Sequence, residues 1–381
     1  MKRGFDQSEY EDRVVRAQAL MAEEDLAALL LTTEAEVRYV TGYLTRFWES
    51  PSRPWFIVLP ASGGPIAVIP SIGAALMAHT WVSDIRTWRA PDPVDDGVSL
   101  LCDTLNEVAG TGRIGVPSGP ETHLRMPLAD WERVQAGIGG SVTGDAQIMA
   151  RLRAIKSDAE IAKIETACAI AGRAFARVPE IARKGEGLSA VFRGFQSLLL
   201  HEGADWVPYL AGASGQLGYG DVISPATETP LAVGDVLMLD TGAVWDGYFC
   251  DYDRNFSVGP PNQSVADAQA RLIEAVDVAA ALAAPGTTAA QLFHAMDRIV
   301  TGGAGGSDAG RLGHGLGMQL TEGLSLIPGD QTPLEPGMVL TLEPGIETGP
   351  GRMMVHEEDI VITDSGCRFL SPRATAELVV I

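Results

Sequence analysis

Basic residues are scarce in this 381-residue chain. Lys and Arg total 28 against 49 Asp and Glu, a formal net charge of −21. Such a field repels phosphate backbones and anionic lipid heads, which argues against nucleic acid and membrane surfaces as partners. Cysteine is scarcer still. Cys102, Cys168, Cys250 and Cys367 are the four, and none forms a CxxC pair. Neither a disulfide framework nor a zinc ribbon is expected, and a reducing cytoplasm is the simple reading. Long apolar runs are missing: LAALLL (26–31) falls well short of the roughly 20 residues that span a bilayer. The opening MKRGFDQSEYEDR has no apolar stretch after its basic pair, so no signal peptide is expected.

What is present suits a large folded chain. Hydrophobic residues make up 46% and charged residues 20%, enough to bury a sizeable core in two domains of ordinary size. Residues 1–147 alternate helical and strand patterns, as in EYEDRVVRAQALMAEE followed by DLAALLLT, and then PWFIVLP, GPIAVIP and RIGVP. SIGAALMAHTW and SLLCDTLNEVAG read as helices. This is the pattern of an α/β domain. In 148–381, Ser157 and Glu160 form a capping box that opens a long helix. Three more helical patterns and strands such as DVLMLDTGA, MVLTLEPGI and EDIVIT follow. The second domain is expected to be α+β, with helices packed on an antiparallel sheet.

That half repeats itself weakly. PLAVGDVLMLDTG (230–242) aligns without a gap with PLEPGMVLTLEPG (333–345), matching at Pro, Leu, Gly, Val, Leu, Leu and Gly. Asp240 and Glu343 fall in the same column, 343 − 240 = 103 residues apart. An acid that ends a buried strand twice in register needs a partner, because a buried carboxylate is costly alone. Each acid also has a companion downstream. Pairing about the turn Asp246-Gly247 places residue 240 opposite 253 and residue 242 opposite 251, so Asp240 and Asp251 become diagonal neighbours. After Glu343 the loop-like GIETGPGRMM leads to Glu357, at the head of EDIVIT. Four converging carboxylates repel one another unless cations lie between them. His314, set in GHGLG, adds a nitrogen. This donor set suits two divalent ions that share carboxylates.

LDTGAVWDGYFCD, GHGLG, LEPG and the Glu before DIVIT resemble the metal-binding signature of the pita-bread metallohydrolases. The length and the AIKSDAEI linker resemble the prolidase, aminopeptidase P and creatinase branch. The resemblance implies a creatinase-like N-terminal domain, a pita-bread catalytic domain, and Asp240, Asp251, His314, Glu343 and Glu357 as ligands of a dinuclear site. The ions it implies are manganese or cobalt, with zinc and iron as alternatives. His314 and Glu343 are then the catalytic candidates, Glu343 holding the attacking water and passing its proton to the leaving nitrogen. The implied activity is hydrolysis of a C–N bond in a small substrate, with a proline-type dipeptide as the default. The resemblance also implies a homodimer.

The chain departs from that pattern in the residues that handle protons. The peptidase histidine seven places after the ligand histidine is replaced by Thr321, with Glu322 beside it. The upstream peptidase histidine is missing from GYGDVISP, where Tyr219 and Asp221 are the nearest polar candidates. Asp253 stands where Thr or Ser is usual, and Val355 where prolidases carry Arg. These differences open two alternatives: a non-peptidase acting on a small amide, guanidino or sulfonium compound, and a metal-binding module without catalysis. Trp48, Arg53 and Trp55, in the Pro-bounded segment TRFWESPSRPW, are further substrate-contact candidates or domain core. His356 is expected to point away from the ligands by strand alternation.

Overall fold

The computed structural model describes residues 2–49 and 54–381, which divide into two compact units, 1–153 and 154–381. The division falls later than the 147/148 boundary expected from sequence. The helix Ile148–Ala154 explains the shift: Ile148, Met149 and Leu152 are buried, and the Tyr39 hydroxyl donates to the Leu152 carbonyl at 3.1 Å.

The first unit is built on one mixed sheet. Its strands are β1 (Ala28–Leu31), β2 (Phe56–Pro60), β3 (Ile66–Pro70), β4 (Asp84–Trp88), β5 (Arg113–Val116) and β6 (Ser141–Gly144), in the order β4-β3-β2-β1-β5-β6. The β1–β2 and β2–β3 pairs are antiparallel and the others parallel. Leu30, Phe56, Val58, Val68 and Ile114 meet Leu101 and Leu105 of the helix Val98–Ala109 in one core. SIGAALMAHTW yields only a 3-10 turn, Ser71–Gly73, and a single helical turn, Ala74–Met77. Only Gly73 and Met77 are buried there, and so short an apolar stripe cannot hold a longer helix.

The second unit opens with the helix Asp158–Ala176, capped reciprocally by Ser157 and Glu160. The helix Leu188–Glu202 follows, then β7 (Trp206–Gln216), β8 (Asp235–Trp245), β9 (Tyr248–Phe249) and β10 (Tyr252–Ser257). The helices Gln263–Leu282 and Ala289–Val300 lead into β11 (Val339–Leu342), β12 (Gly345–Gly349), β13 (Arg352–Val355), β14 (Glu358–Thr363), β15 (Gly366–Phe369) and β16 (Val379–Val380). One sheet runs β16-β10-β8-β7 with β9 on β8, another β11-β14-β15, and β12 pairs with β13. GIETGPGRMM, read as a loop, is thus a bulged hairpin. Met354 and Ile346 are buried on it, which gives it an apolar anchor.

The internal repeat extends beyond its thirteen residues. Gly187 bridges Pro230, and Thr288 bridges Pro333, each at the cap of a helix that ends in a Gly- or Thr-led turn. Leu188 N–H donates to Thr229 and Ala289 N–H to Thr332. Gly234 and Gly337 both take positive φ, +90° and +89°, a conformation that glycine adopts without strain. The two acids are not both strand-ending as expected: Asp240 lies in the middle of β8, which runs on to Trp245, whereas Glu343 directly follows β11.

Candidate metal centre

The first pair of acids is set by a tight hairpin. Asp246 and Gly247 have φ of +47° and +80°, the left-handed pair of a type I′ turn. The register puts Asp253 opposite Asp240. Asp251 lies between β9 and β10, and its backbone N–H donates to Asp359 Oδ2 at 3.0 Å. The same oxygen accepts the Cys168 thiol at 3.1 Å. Across β8, the Tyr209 hydroxyl donates to Asp240 Oδ2 at 3.0 Å.

The histidine segment is no open loop. Leu312 and Gly315 donate to Leu326 and Leu324, while Thr341 and Glu343 donate back to His314 and Leu312. Residues 312–315 are therefore bonded along both edges. This explains the flanking glycines: a Cβ at Gly313 would strike the Thr341 carbonyl, and one at Gly315 the Glu322 carbonyl. His314 Nδ1 sits 3.0 Å from the Gly315 carbonyl. The tautomer with a proton on Nδ1 satisfies that contact and leaves the Nε2 lone pair for a cation.

Three of the five candidates converge. One oxygen of Asp251, one ring nitrogen of His314 and one oxygen of Glu357 lie within 4.8 Å of one another. His314 Nε2 is 3.4 Å from Asp251 Oδ2. Glu357 N–H donates to Asp253 Oδ1 at 2.9 Å, which fixes the Glu357 backbone. Glu343 faces Arg311, whose Nε lies 3.4 Å from Glu343 Oε1. The Glu343 side chain is 23% exposed, against 5% for Asp251 and 3% for His314, so the cluster opens to solvent at Glu343.

Electrostatics fit a cation site. Burial raises the pKa of Asp240, Asp251, Glu343 and Glu357, and neighbouring carboxylates raise each further. Burial lowers His314 to about 4 and keeps its ring neutral. Asp240 Oδ1, Asp253 Oδ2 and Glu357 Oε1 are buried with no hydrogen-bond partner among the described residues. Acceptor-only atoms stranded together are costly unless a cation or a proton satisfies them. Asp251, His314 and Glu357 thus form a hard donor set with one imidazole, with the carboxylates of Asp240 and Glu343 adjoining it, and such a set suits divalent cations.

The remaining candidates divide. Thr321 is half-buried at the open edge, where its Oγ1 accepts from Arg311 Nη2 at 3.3 Å. Glu322 is buried in an ion pair with Lys156 Nζ at 3.0 Å, which places it in the core and corrects its reading as a substrate contact. Tyr219 is fully buried: its hydroxyl donates to Asn255 Oδ1 at 3.1 Å and accepts from Val355 N–H at 2.6 Å. This corrects its reading as well. Asp221 faces solvent and spends Oδ1 on the Ile223 and Ser224 amides. Trp55 is 1% exposed against Tyr43 and Trp48, so it is core of the first unit rather than the wall of a pocket. Trp48 is half-buried beneath the Arg125 guanidinium, and Arg53 lies outside the described residues. His356 is fully buried, 3.3 Å from both Asp253 Oδ1 and Glu358 Oε1.

Sequence reasoning missed Arg311, Tyr209 and Asp359. Arg311 was legible as the third residue before His314. Asp359 follows Glu357 by two, the same-face spacing of a strand. Tyr209 carried no signal, because only the β7–β8 register brings it to Asp240.

Comparison with known proteins agrees with this geometry. Residues 162–364 match Metallopeptidase family M24, and residues 13–155 match the Creatinase/Prolidase N-terminal domain. The chain is 30% identical over 383 residues to a probable dipeptidase PepE of Mycobacterium tuberculosis, covering 100% of this chain and 98% of that protein. It is 31% identical over 225 residues to a Xaa-Pro dipeptidase of Pyrococcus furiosus, covering 58% and 64%. The crystal structure of dipeptidase PepE from Mycobacterium ulcerans superposes with a TM-score of 0.85 at 28% identity, covering 99% of both chains. The chain belongs to metallopeptidase family M24, as a metal-dependent hydrolase with a creatinase/prolidase N-terminal domain and a pita-bread C-terminal domain.

Proposed function

We propose that the protein is a dipeptidase that hydrolyses the amide bond of a small dipeptide, with proline-type dipeptides as the default substrates. The observation that carries this reading is the convergence of Asp251, His314 and Glu357 beside Glu343, in a chain that aligns end to end with a probable dipeptidase. Asp240, Asp251, His314, Glu343 and Glu357 would hold two divalent cations. When bound, those cations supply Lewis acidity to the substrate carbonyl and a water that deprotonates near neutral pH.

The chain's own residues do the rest. Glu343, at the exposed edge, takes the proton of the attacking water and returns it to the leaving nitrogen. Tyr209 orients Asp240, and Asp359 orients the Asp251 backbone. Thr321 cannot exchange a proton near neutrality as an imidazole does. In its neighbourhood Arg311 offers a fixed positive charge and hydrogen-bond donors to an oxygen that becomes negative. The missing histidine supports a second reading, a non-peptidase acting on a small amide, guanidino or sulfonium compound.

Manganese is the proposed ion, because the donor set is mostly carboxylate. The cytoplasm is the proposed location, supported by four free cysteines. A homodimer is proposed, with Phe47, 41% exposed, in its contact surface; light scattering at micromolar concentration tests it. The activity test is metal analysis of the purified protein coupled to turnover of Xaa-Pro, other dipeptide and small amide, guanidino and sulfonium substrates. Stoichiometric metal with dipeptide turnover supports the first reading. Metal with turnover of the non-peptide compounds alone selects the second. Metal with no turnover at all leaves the binding module.

A further inference from the structure

Asp253 and Asp240 face each other across the β8–β10 ladder. Directly opposed residues project from the same face, with Cβ atoms about 4.5–5.5 Å apart. Their two carboxyl groups are partnered in complementary ways. Asp253 Oδ1 accepts the Glu357 amide at 2.9 Å and lies 3.3 Å from His356 Nδ1. Asp240 Oδ2 accepts the Tyr209 hydroxyl. The remaining oxygens, Asp253 Oδ2 and Asp240 Oδ1, are both buried and without a partner, and so is Oε1 of the adjoining Glu357. Asp253 itself is 1% exposed. Three neighbouring carboxylates, linked by the β8–β10 register and by the Glu357 amide on Asp253, therefore each keep one buried acceptor without a partner.

We propose that Asp253 is a sixth protein ligand of the metal centre, contributing Oδ2 alongside Asp240. The inference rests on the metal-centre reading above and extends it. Residues 253 and 356 act as a set. His356, itself fully buried, lies 3.3 Å from Asp253 Oδ1 and from Glu358 Oε1; with Oδ1 taken by the Glu357 amide, Oδ2 is the oxygen left to a cation. His356 is a positioning residue, since it acts through Asp253. A Thr or Ser at 253 could not supply this oxygen, because its side chain carries one hydroxyl in place of a two-oxygen carboxylate. An additional carboxylate also changes which ion is favoured. It raises the oxygen share of the donor set, and oxygen-rich sets favour manganese over the softer zinc.

The test uses the full-length protein stripped of metal and titrated with MnCl2, and crystals of the Mn²⁺-loaded native protein. The inference expects Asp253 Oδ2 within about 2.5 Å of an ion, the reach of a carboxylate on a divalent cation. It also expects Asp253→Asn to lose tenfold or more in Mn²⁺ affinity and to shift Mn²⁺/Zn²⁺ competition toward Zn²⁺. His356→Gln should shift the competition the same way but less, a change that lost packing alone would not produce. Oδ2 bonded to Asp240 Oδ1 through a shared proton in the loaded crystal would overturn the inference while leaving the rest of the metal centre standing. Unchanged Mn²⁺ affinity and unchanged selectivity in Asp253→Asn would overturn it too. A native protein that binds no Mn²⁺ at all would overturn both this inference and the metal-centre reading. The native crystal decides the matter even if Asp253→Asn fails to fold.

Discussion

Arg311 stands between two residues of unlike role: its Nε is 3.4 Å from Glu343 Oε1, and its Nη2 donates to Thr321 Oγ1 at 3.3 Å. The guanidinium is planar and stays charged at any working pH, so one rigid group makes both contacts. Arg311→Met is expected to lower kcat/KM by about 10²–10³-fold, the cost of removing one donor to a developing negative oxygen. Arg311→Lys is expected to recover little, because a point charge cannot span both partners. The measurement is kcat/KM on whichever substrate the native protein turns over. A drop of less than threefold in Arg311→Met would remove Arg311 from the site.

Metal binding is expected to release protons and to weaken as pH falls. Burial and mutual repulsion raise the carboxylates of the metal-free centre, so near neutrality they retain protons that a cation must displace. His314, lowered to about 4, contributes no proton above that range. The sign for stability is the reverse of the usual carboxylate case. Asp359 is raised to about 7 by burial, so the folded metal-free state holds more protons than the unfolded state between about pH 4 and 7. Its stability therefore falls as pH rises through that window. Calorimetry of the metal-free protein should show Tm decreasing from pH 5 to 8, with the gap to the loaded protein widening. A metal-free Tm that climbs over that range would contradict the assignment of these groups.

Tyr209 offers a test of orientation without loss of a ligand. Its hydroxyl is bonded to Asp240 Oδ2 at 3.0 Å, and removal of such an outer partner typically costs about 10–100-fold in metal affinity or activity. Tyr209→Phe is expected to fall in that range with its circular dichroism unchanged. Equal metal affinity in the two proteins, read by titration, would mean that Asp240 needs no help to hold its rotamer.

The parts of the centre that were legible in sequence are those fixed by local geometry. Asp240 and Asp251 could be related through one two-residue turn, because strand register follows directly from the turn. Asp240 and Glu343 could be related through a repeat, because each follows an equivalent turn and apolar run, although β8 continues past Asp240 while β11 stops before Glu343. The contributions of Tyr209, Asp359 and Arg311 depend on which strand lies beside which, and no periodicity encodes that. Tyr219 and Glu322 as substrate contacts, and the substrate-contact alternative for Trp55, fail for a common reason. Each is a polar or aromatic residue near a motif, and proximity in sequence does not say whether its polar atoms point outward or are spent inside. The alternation argument for His356 assumed a strand, but the residue lies between β13 and β14, buried 3.3 Å from each of two carboxylates.

Glu322 yields the last prediction, because a structural role and a substrate role separate cleanly there. Its Oε1 lies 3.0 Å from Lys156 Nζ, with side chains 7% and 2% exposed. Removing one partner of a buried pair leaves the other charge uncompensated, at a cost of about 3–5 kcal/mol. Replacing both with apolar side chains of similar size is often neutral. Glu322→Gln is therefore expected to lower stability by roughly that amount in urea unfolding. The double variant Lys156→Met/Glu322→Leu should regain most of it. Under conditions where both variants are folded, KM should stay within about twofold of native, since a residue buried in an ion pair does not touch substrate. A KM raised tenfold in the stable double variant would return Glu322 to the substrate site and make Lys156 the residue that holds it there.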